Sequence, residues 1–191
     1  AFAPWLAGLH VLAVSGECKE VLAELDFRSE QGQPPPRQVR IARSGGQWLG
    51  SPQPAQVAFA SQADAATLPY LLQPDVAFYK AGRATGYDLL GHFPPGAVWT
   101  GPEGYLLAPE LPSQPFPGRV WQVQAAAPWQ PRKWQARLKA AGIKRAHIST
   151  RGGPTPVATL RQQLKLAEGG THWLLLAPVQ GKLWAWHATE A

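Results

Sequence analysis

Residues 151–177, RGGPTPVATLRQQLKLAEGGTHWLLLA, change hydrophobic period within a few positions, and this restricts the folds open to the chain. A loop with prolines leads into a segment where Val157, Leu160 and Leu164 recur at i, i+3 and i+7, the spacing of one buried helix face. Thr155 reads as its cap, and Arg161 and Lys165 fall on the outward side. The Glu-Gly-Gly sequence at 168–170 reads as the helix stop, and an apolar strand, HWLLLAPV, follows directly. A basic amphipathic helix packed this close to a wholly apolar strand calls for a sheet with helices laid against it, an α+β arrangement.

The same alternation extends upstream. RVWQVQAA, from Arg119, reads as a strand with Val120, Gln122 and Gln124 on one side and Trp121, Val123 and Ala125 on the other. PWQPRKWQARLKAAG is a helix with Pro131 in its first turn and Gly142 at its end. Trp134, Leu138 and Ala141 share its buried side, while Arg132, Lys133, Arg137 and Lys139 occupy other faces. IKRAHIST is the next strand, and KLWAWHA pairs with HWLLLAPV across a turn at Gln180-Gly181. The predicted order is β-α-β-α-β-β, a sheet with two helices on one side.

The remainder of the chain is harder to read. Residues 9–15 form a short buried strand, and 19–27 fit either a strand or a short helix. SEQGQPPPRQ at 29–38 is a loop, 39–42 a strand, SGGQWLGSPQP a hairpin-like loop and QVAFA at 56–60 another strand. These pieces suggest a small antiparallel set. PYLLQP at 69–74 is extended, and Asp75 is placed to cap a helix running to about Leu90, with Val76, Tyr79, Ala84, Tyr87 and Leu90 on one face. Short strands at 97–99 and 104–108 follow, and ELPSQPFPG is the preferred domain boundary.

Twenty prolines and 19 glycines in 191 residues favour short elements joined by turns. No apolar run approaches the ~20 residues that span a bilayer. The opening AFAPWLAGLHVLAVS has no basic leader, so it does not read as a signal peptide. Cys18 is the only cysteine, which excludes an internal disulfide and points to a reducing, cytoplasmic setting. The chain has no methionine and starts at Ala1, which suggests that it begins inside a longer gene product.

Charge is distributed unevenly. Residues 1–118 carry seven Lys/Arg against ten Asp/Glu, a net of −3, whereas residues 119–191 carry eleven against Glu168 and Glu190 alone, a net of +9. An anionic partner for the C-terminal part is the natural reading, nucleic acid foremost. Arg132, Lys133, Arg137, Lys144, Arg145, Arg151, Arg161 and Lys165 are the candidate phosphate contacts. Arg151 and the start of the next helix could share one phosphate. Tryptophans 129, 134, 173, 184 and 186 are interleaved with this charge, and any that are exposed could stack unpaired bases. Trp134 reads as core, and Trp184 and Trp186 as sharing one sheet face.

Catalytic chemistry is not legible. His10, His92, His147, His172 and His187 form no metal-binding pair in sequence, although His147 and His187 lie in strands that could be neighbours. Lys19 beside Cys18 is offset by Glu17 and Glu20, so the cysteine reads as structural. Asp64, Asp75 and Asp88 are dispersed. Gly152-Gly153 sits between a strand and a helix, and a simple turn is preferred there to a phosphate cradle.

Several segments taken together resemble a known family. SGECKEVLAEL at 15–25, PYLLQPDVAFYKAG at 69–82, FPGRVWQV at 116–123 and ISTRGGPTPVATLRQQLKLAEGGTHWLLLA at 148–177 are similar to the C-terminal half of bacterial class I SAM-dependent methyltransferases that carry a THUMP-like domain. HFPPGAVWTG and GGPTP match that pattern only loosely. The resemblance implies terminal strands of a methyltransferase core over 1–67, a small ferredoxin-like segment over 68–115 and a basic THUMP-like domain over 116–191. It also implies a non-catalytic portion that holds RNA. The S-adenosylmethionine site would lie in an N-terminal methyltransferase domain, because this chain has no strand followed by a glycine-rich turn and no D-P-P loop. The competing expectation is a docking or dimerisation module without nucleic-acid binding, presenting an apolar edge from its N-terminal strands.

Overall fold

A computed structural model of the chain describes residues 6–14, 17–25, 37–41, 46–50, 58–81 and 93–191, with side chains at 58–76, 78–79 and 93–191. The chain divides into two compact units, one of residues 1–57, 74–93 and 112–118, the other of 58–73, 94–111 and 119–191. The segment 68–115 contributes to both units in alternation.

In the first unit, β1 (Leu6–Val14), β2 (Glu17–Leu25), β3 (Arg37–Ile41) and β4 (Gly46–Gly50) form a four-stranded sheet in the order β2-β1-β3-β4. Within the ambiguous segment 19–27, the described residues 19–25 are therefore strand. The predicted hairpin-like loop after Ser44 contains β4, paired antiparallel with β3. The sheet is mixed rather than antiparallel, since β1 and β3 run parallel. A parallel neighbour requires a crossover connection, which local pattern does not reveal. The side chains of His10 and Cys18, together with His92, Asp88, Tyr87 and Leu90, lie outside the described residues. The helix expected from Asp75 begins at Val76, as α2 (Val76–Ala81), and positions 82–92 are likewise outside the described residues.

The second unit is built on a seven-stranded sheet, with α1 (Gln62–Thr67) entering it. Its strands are β5 (Tyr70–Pro74), β6 (Val98–Trp99), β7 (Leu106–Ala108), β8 (Gly118–Pro128), β9 (His147–Thr150), β10 (His172–Val179) and β11 (Lys182–Glu190), in the order β6-β7-β5-β8-β11-β10-β9. With α3 (Pro131–Ala140) and α4 (Val157–Leu164), the last part of the chain has the predicted order β-α-β-α-β-β. The fold is α+β, as expected.

β10 explains why its sequence is apolar without alternation. Leu174, Leu175, Leu176 and Ala177 are all fully buried, because both faces of the sheet are covered. Leu174 and Leu176 pack with Trp134, Leu138, Leu160 and Leu164 of the two helices. Leu175 and Ala177 pack on the opposite face with Trp121, Trp184, Trp186 and Ala65 of α1. Trp184 and Trp186 thus share one face, as their spacing predicts. In β8 the alternation slips: a register shift opposite His187/Ala188 groups Ala126, not Ala125, with Trp121 and Val123. One extra residue in a bulged strand produces this change of face.

Of the segment 56–60, expected as a strand, the described residues 58–60 contribute a bridge from Phe59 to Trp99. A capped helix follows it. Ser61 Oγ accepts from the Asp64 N–H at 3.1 Å, and Asp64 Oδ2 accepts from the Ser61 N–H at 2.7 Å, the reciprocal capping box. At the other end of the strand order, the Tyr105 hydroxyl meets Ser149 Oγ of β9 at 2.9 Å, so the sheet curls until its two ends approach.

Trp186 Nε1 donates to the Ala65 carbonyl at 2.9 Å, whereas Trp184 Nε1 is buried with no hydrogen-bond partner among the described residues. Trp186→Phe and Trp184→Phe remove similar volumes, but only the first strands a carbonyl. Trp186→Phe should cost about 1 kcal/mol more stability than Trp184→Phe in urea denaturation. Equal losses would show that the bond contributes nothing net.

Candidate nucleic-acid interface

The basic residues are set by the register of α3. Pro131 stands at its first position, where the missing N–H is harmless, and Gln130 precedes it without a side-chain cap. Trp134 and Leu138 are buried against the sheet, and Trp134 Nε1 donates to the Pro128 carbonyl at 3.3 Å. With that face fixed, the helix period puts Arg132, Ala136 and Lys139 on one outer stripe and Lys133 and Arg137 on another.

The first stripe borders a groove of about 540 Å³ between α3 and the end of α4. Arg132, Lys139, Lys144 and Lys165 line it together with Leu138, Ile143, Leu164 and Leu166, and no carboxylate lines it. Four cations around an uncompensated depression create a local positive potential that draws anions. The second stripe borders a smaller hollow of about 200 Å³ with Trp134, where the Arg137 guanidinium lies 5.1 Å from the indole centroid.

Three of the eight predicted contacts, Arg132, Lys144 and Lys165, are therefore brought together at the groove, and Lys133 and Arg137 at the hollow. Lys139 belongs to the groove but was not among the residues singled out. Its signal was the i+7 spacing from Arg132. The others have different surroundings. Arg161 is half-buried, not outward, and Nη1 donates to the Ala146 carbonyl at 3.2 Å, with Glu168 at 4.0 Å. Arg145 Nε donates to the Glu168 carbonyl at 3.1 Å. Arg151 is half-buried after β9, and its N–H donates to the Leu176 carbonyl at 2.9 Å.

Two local expectations are corrected. The N-cap of α4 is Pro156, with no side-chain bond, rather than Thr155. The helix ends at Leu164, with Lys165 left-handed at φ 55°, before the Gly-Gly pair is reached. Gly169 and Gly170 serve the next turn. Their φ values are 96° and 88°, and a Cβ at Gly169 would come within 3.2 Å of the Arg145 guanidinium. The glycines let Arg145 lie across the loop.

None of the five interleaved tryptophans is fully exposed. Trp134, Trp184 and Trp186 are buried, and Trp129 and Trp173 are half-buried. Trp173 is stacked on His147 at 4.6 Å, lies 5.3 Å from Trp121, and has the Arg119 guanidinium 5.1 Å from its centroid. His147 and His187 are not neighbours, since β10 lies between their strands. The partner of His187 is His172, with Nε2 and Nδ1 3.0 Å apart. A single shared proton holds such a pair, because two imidazolium ions would face donor to donor. Burial first, then the charges of His172 and Arg137, lower the His187 pKa from 6.5.

Residues 118–190 match the protein family described as THUMP domain-like. The matched span coincides with the β-α-β-α-β-β segment and contains the whole groove. No curated protein sequence matches the chain. Among solved structures, the fold resembles that of a protein from Porphyromonas gingivalis provisionally named a methyltransferase, at a TM-score of 0.77 and 21% identity. The likeness covers 97% of this chain and 46% of that one, so the chain spans less than half of its structural relative's length.

Two outcomes test these local arguments. Gly169→Ala, at φ 96° and against Arg145, should destabilise the fold by on the order of 1–3 kcal/mol in urea unfolding. His187 binds its proton more weakly folded than unfolded, so stability is fully present above 6.5 and declines as pH falls from there through the folded value. A His187→Gln variant should flatten that decline. An unchanged pH profile would count against the histidine pair.

Proposed function

We propose that this chain is the non-catalytic, RNA-holding part of a SAM-dependent methyltransferase. The observation that carries this reading is the convergence of Arg132, Lys139, Lys144 and Lys165 on one groove that no carboxylate lines. The THUMP domain-like match over 118–190 and the likeness to a longer methyltransferase-named structure support it. In this reading S-adenosylmethionine and the reacting atoms belong to the remainder of the parent protein. The basic face holds the RNA backbone through its phosphates, without reading sequence.

The docking alternative would need an extended apolar surface. Among the described residues the exposed large apolar side chains are Phe59 and Leu111. The side chains of β1–β4, where such an edge was expected, lie outside the described residues.

Fluorescence anisotropy of labelled RNA with the full chain should give a log–log salt slope of about −3, the value for four neutralised phosphates on a single strand. Lys139→Glu with Lys165→Glu should weaken binding by at least about tenfold at fixed salt and leave the circular dichroism spectrum unchanged. Binding that does not respond to salt would sink the proposal.

A further inference from the structure

We infer that the groove between α3 and α4 seats one unpaired nucleotide, its base on the aliphatic floor and its flanking phosphates on the rim. The inference rests on the RNA-holding reading and names the form of RNA that the site prefers.

The shape of the depression is the first reason. Contacts to a duplex backbone need only cations at phosphate spacing, because an A-form helix offers its phosphates and shallow groove from outside. Here the cations surround a concavity of about 540 Å³, within the range of about 300–1,000 Å³ that small-molecule sites occupy. Leu138, Ile143, Leu164 and Leu166 close the bottom with little exposed area of their own, and Ala136 and the aliphatic stems of Lys139, Lys144 and Lys165 supply the rest of the apolar lining. A neutral base would cover that surface, and a rigid duplex could not reach it. No aromatic side chain lines the groove, and Gln135 is the one uncharged polar side chain there. Base identity would therefore matter little.

Lys165 is the second reason. It closes α4 with φ 55°, a backbone conformation that ordinarily selects glycine or asparagine. A lysine held there costs conformational energy, and its side chain lines the groove. Glycine would relieve the strain but would remove one rim cation.

The third reason is the way the rim is assembled. Arg132 and Lys139 stand two turns apart on one stripe of α3, Lys144 follows the left-handed Gly142 after the helix, and Lys165 caps α4. Cations from three separate elements surround the depression, so a bound strand can be gripped on both sides of an inserted nucleoside.

The test compares the full chain's affinity for an unstructured uridine oligonucleotide with that for a blunt RNA duplex of equal phosphate count. The single strand should bind about tenfold more tightly at the same salt, the gain expected from covering on the order of 50 Å² of apolar surface. Ala136→Arg adds a positive charge at an exposed position lining the groove while filling its mouth. It should abolish the single-strand preference and leave duplex binding unchanged or slightly tighter. Lys165→Gly should raise the urea midpoint yet weaken binding of the uridine strand. Equal affinity for strand and duplex, tighter binding of both by Ala136→Arg, or equal competition by polyglutamate would each overturn the inference while leaving a charged RNA-binding face standing. Failure to bind either RNA would instead remove the RNA-holding reading itself.

Discussion

Burial of β10 on both faces is the constraint from which the second unit follows. Leu174 to Ala177 present side chains alternately to the two sides of the sheet, and all four are shielded from water. One side must then be closed by α3 and α4, the other by α1 and the aromatic residues of β8 and β11. Once the helices commit Trp134, Leu138, Leu160 and Leu164 to that task, their cationic positions can only face outward or bond to nearby backbone. The groove is a by-product of this packing, lined by the C-terminal ends of two short helices near Gly142 and Lys165.

Legibility differed along the chain for physical reasons. From Arg119 onward, helix and strand periods are strong, and the order of elements, the burial of Trp134 and Leu138 on α3 and the shared face of Trp184 and Trp186 could be read directly, whereas Ala141, expected on the same buried side, is exposed at the helix end. Failures there were small and local. The bulge near Gln124 moved Ala126 onto the face assigned to Ala125, and no composition signal marks a bulge that lacks glycine. The capping box at Ser61 and Asp64 follows directly on the segment expected as a strand, and the helix it starts is too short to show a periodic apolar face. The parallel pairing of β1 with β3 is a long-range choice that hydrophobic alternation cannot encode.

The candidate site was partly legible for a related reason. Charge alone nominated eight residues, and charge does not distinguish a cation facing solvent from one satisfying a carbonyl. Arg161 and Arg145 bond to the main chain at Ala146 and Glu168, holding the loop that ends α4. Lys139, equally basic, falls on the groove because of its helical phase. The Gly169-Gly170 pair, which reads as a helix stop, is better understood as clearance for Arg145. Part of what looks like a binding signature therefore supports the turn beneath it.

The placement of β11 bears on how such a chain reaches its native state. β11, which follows both of its neighbours in sequence, is paired on both sides, by β8 and by β10, in the interior of the sheet. Trp186 from this strand also anchors α1, 121 residues earlier. Translation must therefore proceed past Glu190 before β8 and β10 acquire the neighbour they share, and until then their apolar edges have no native partner. A nascent chain whose central strand is made after both of its neighbours is exposed to misassembly during synthesis and depends on rapid closure afterward.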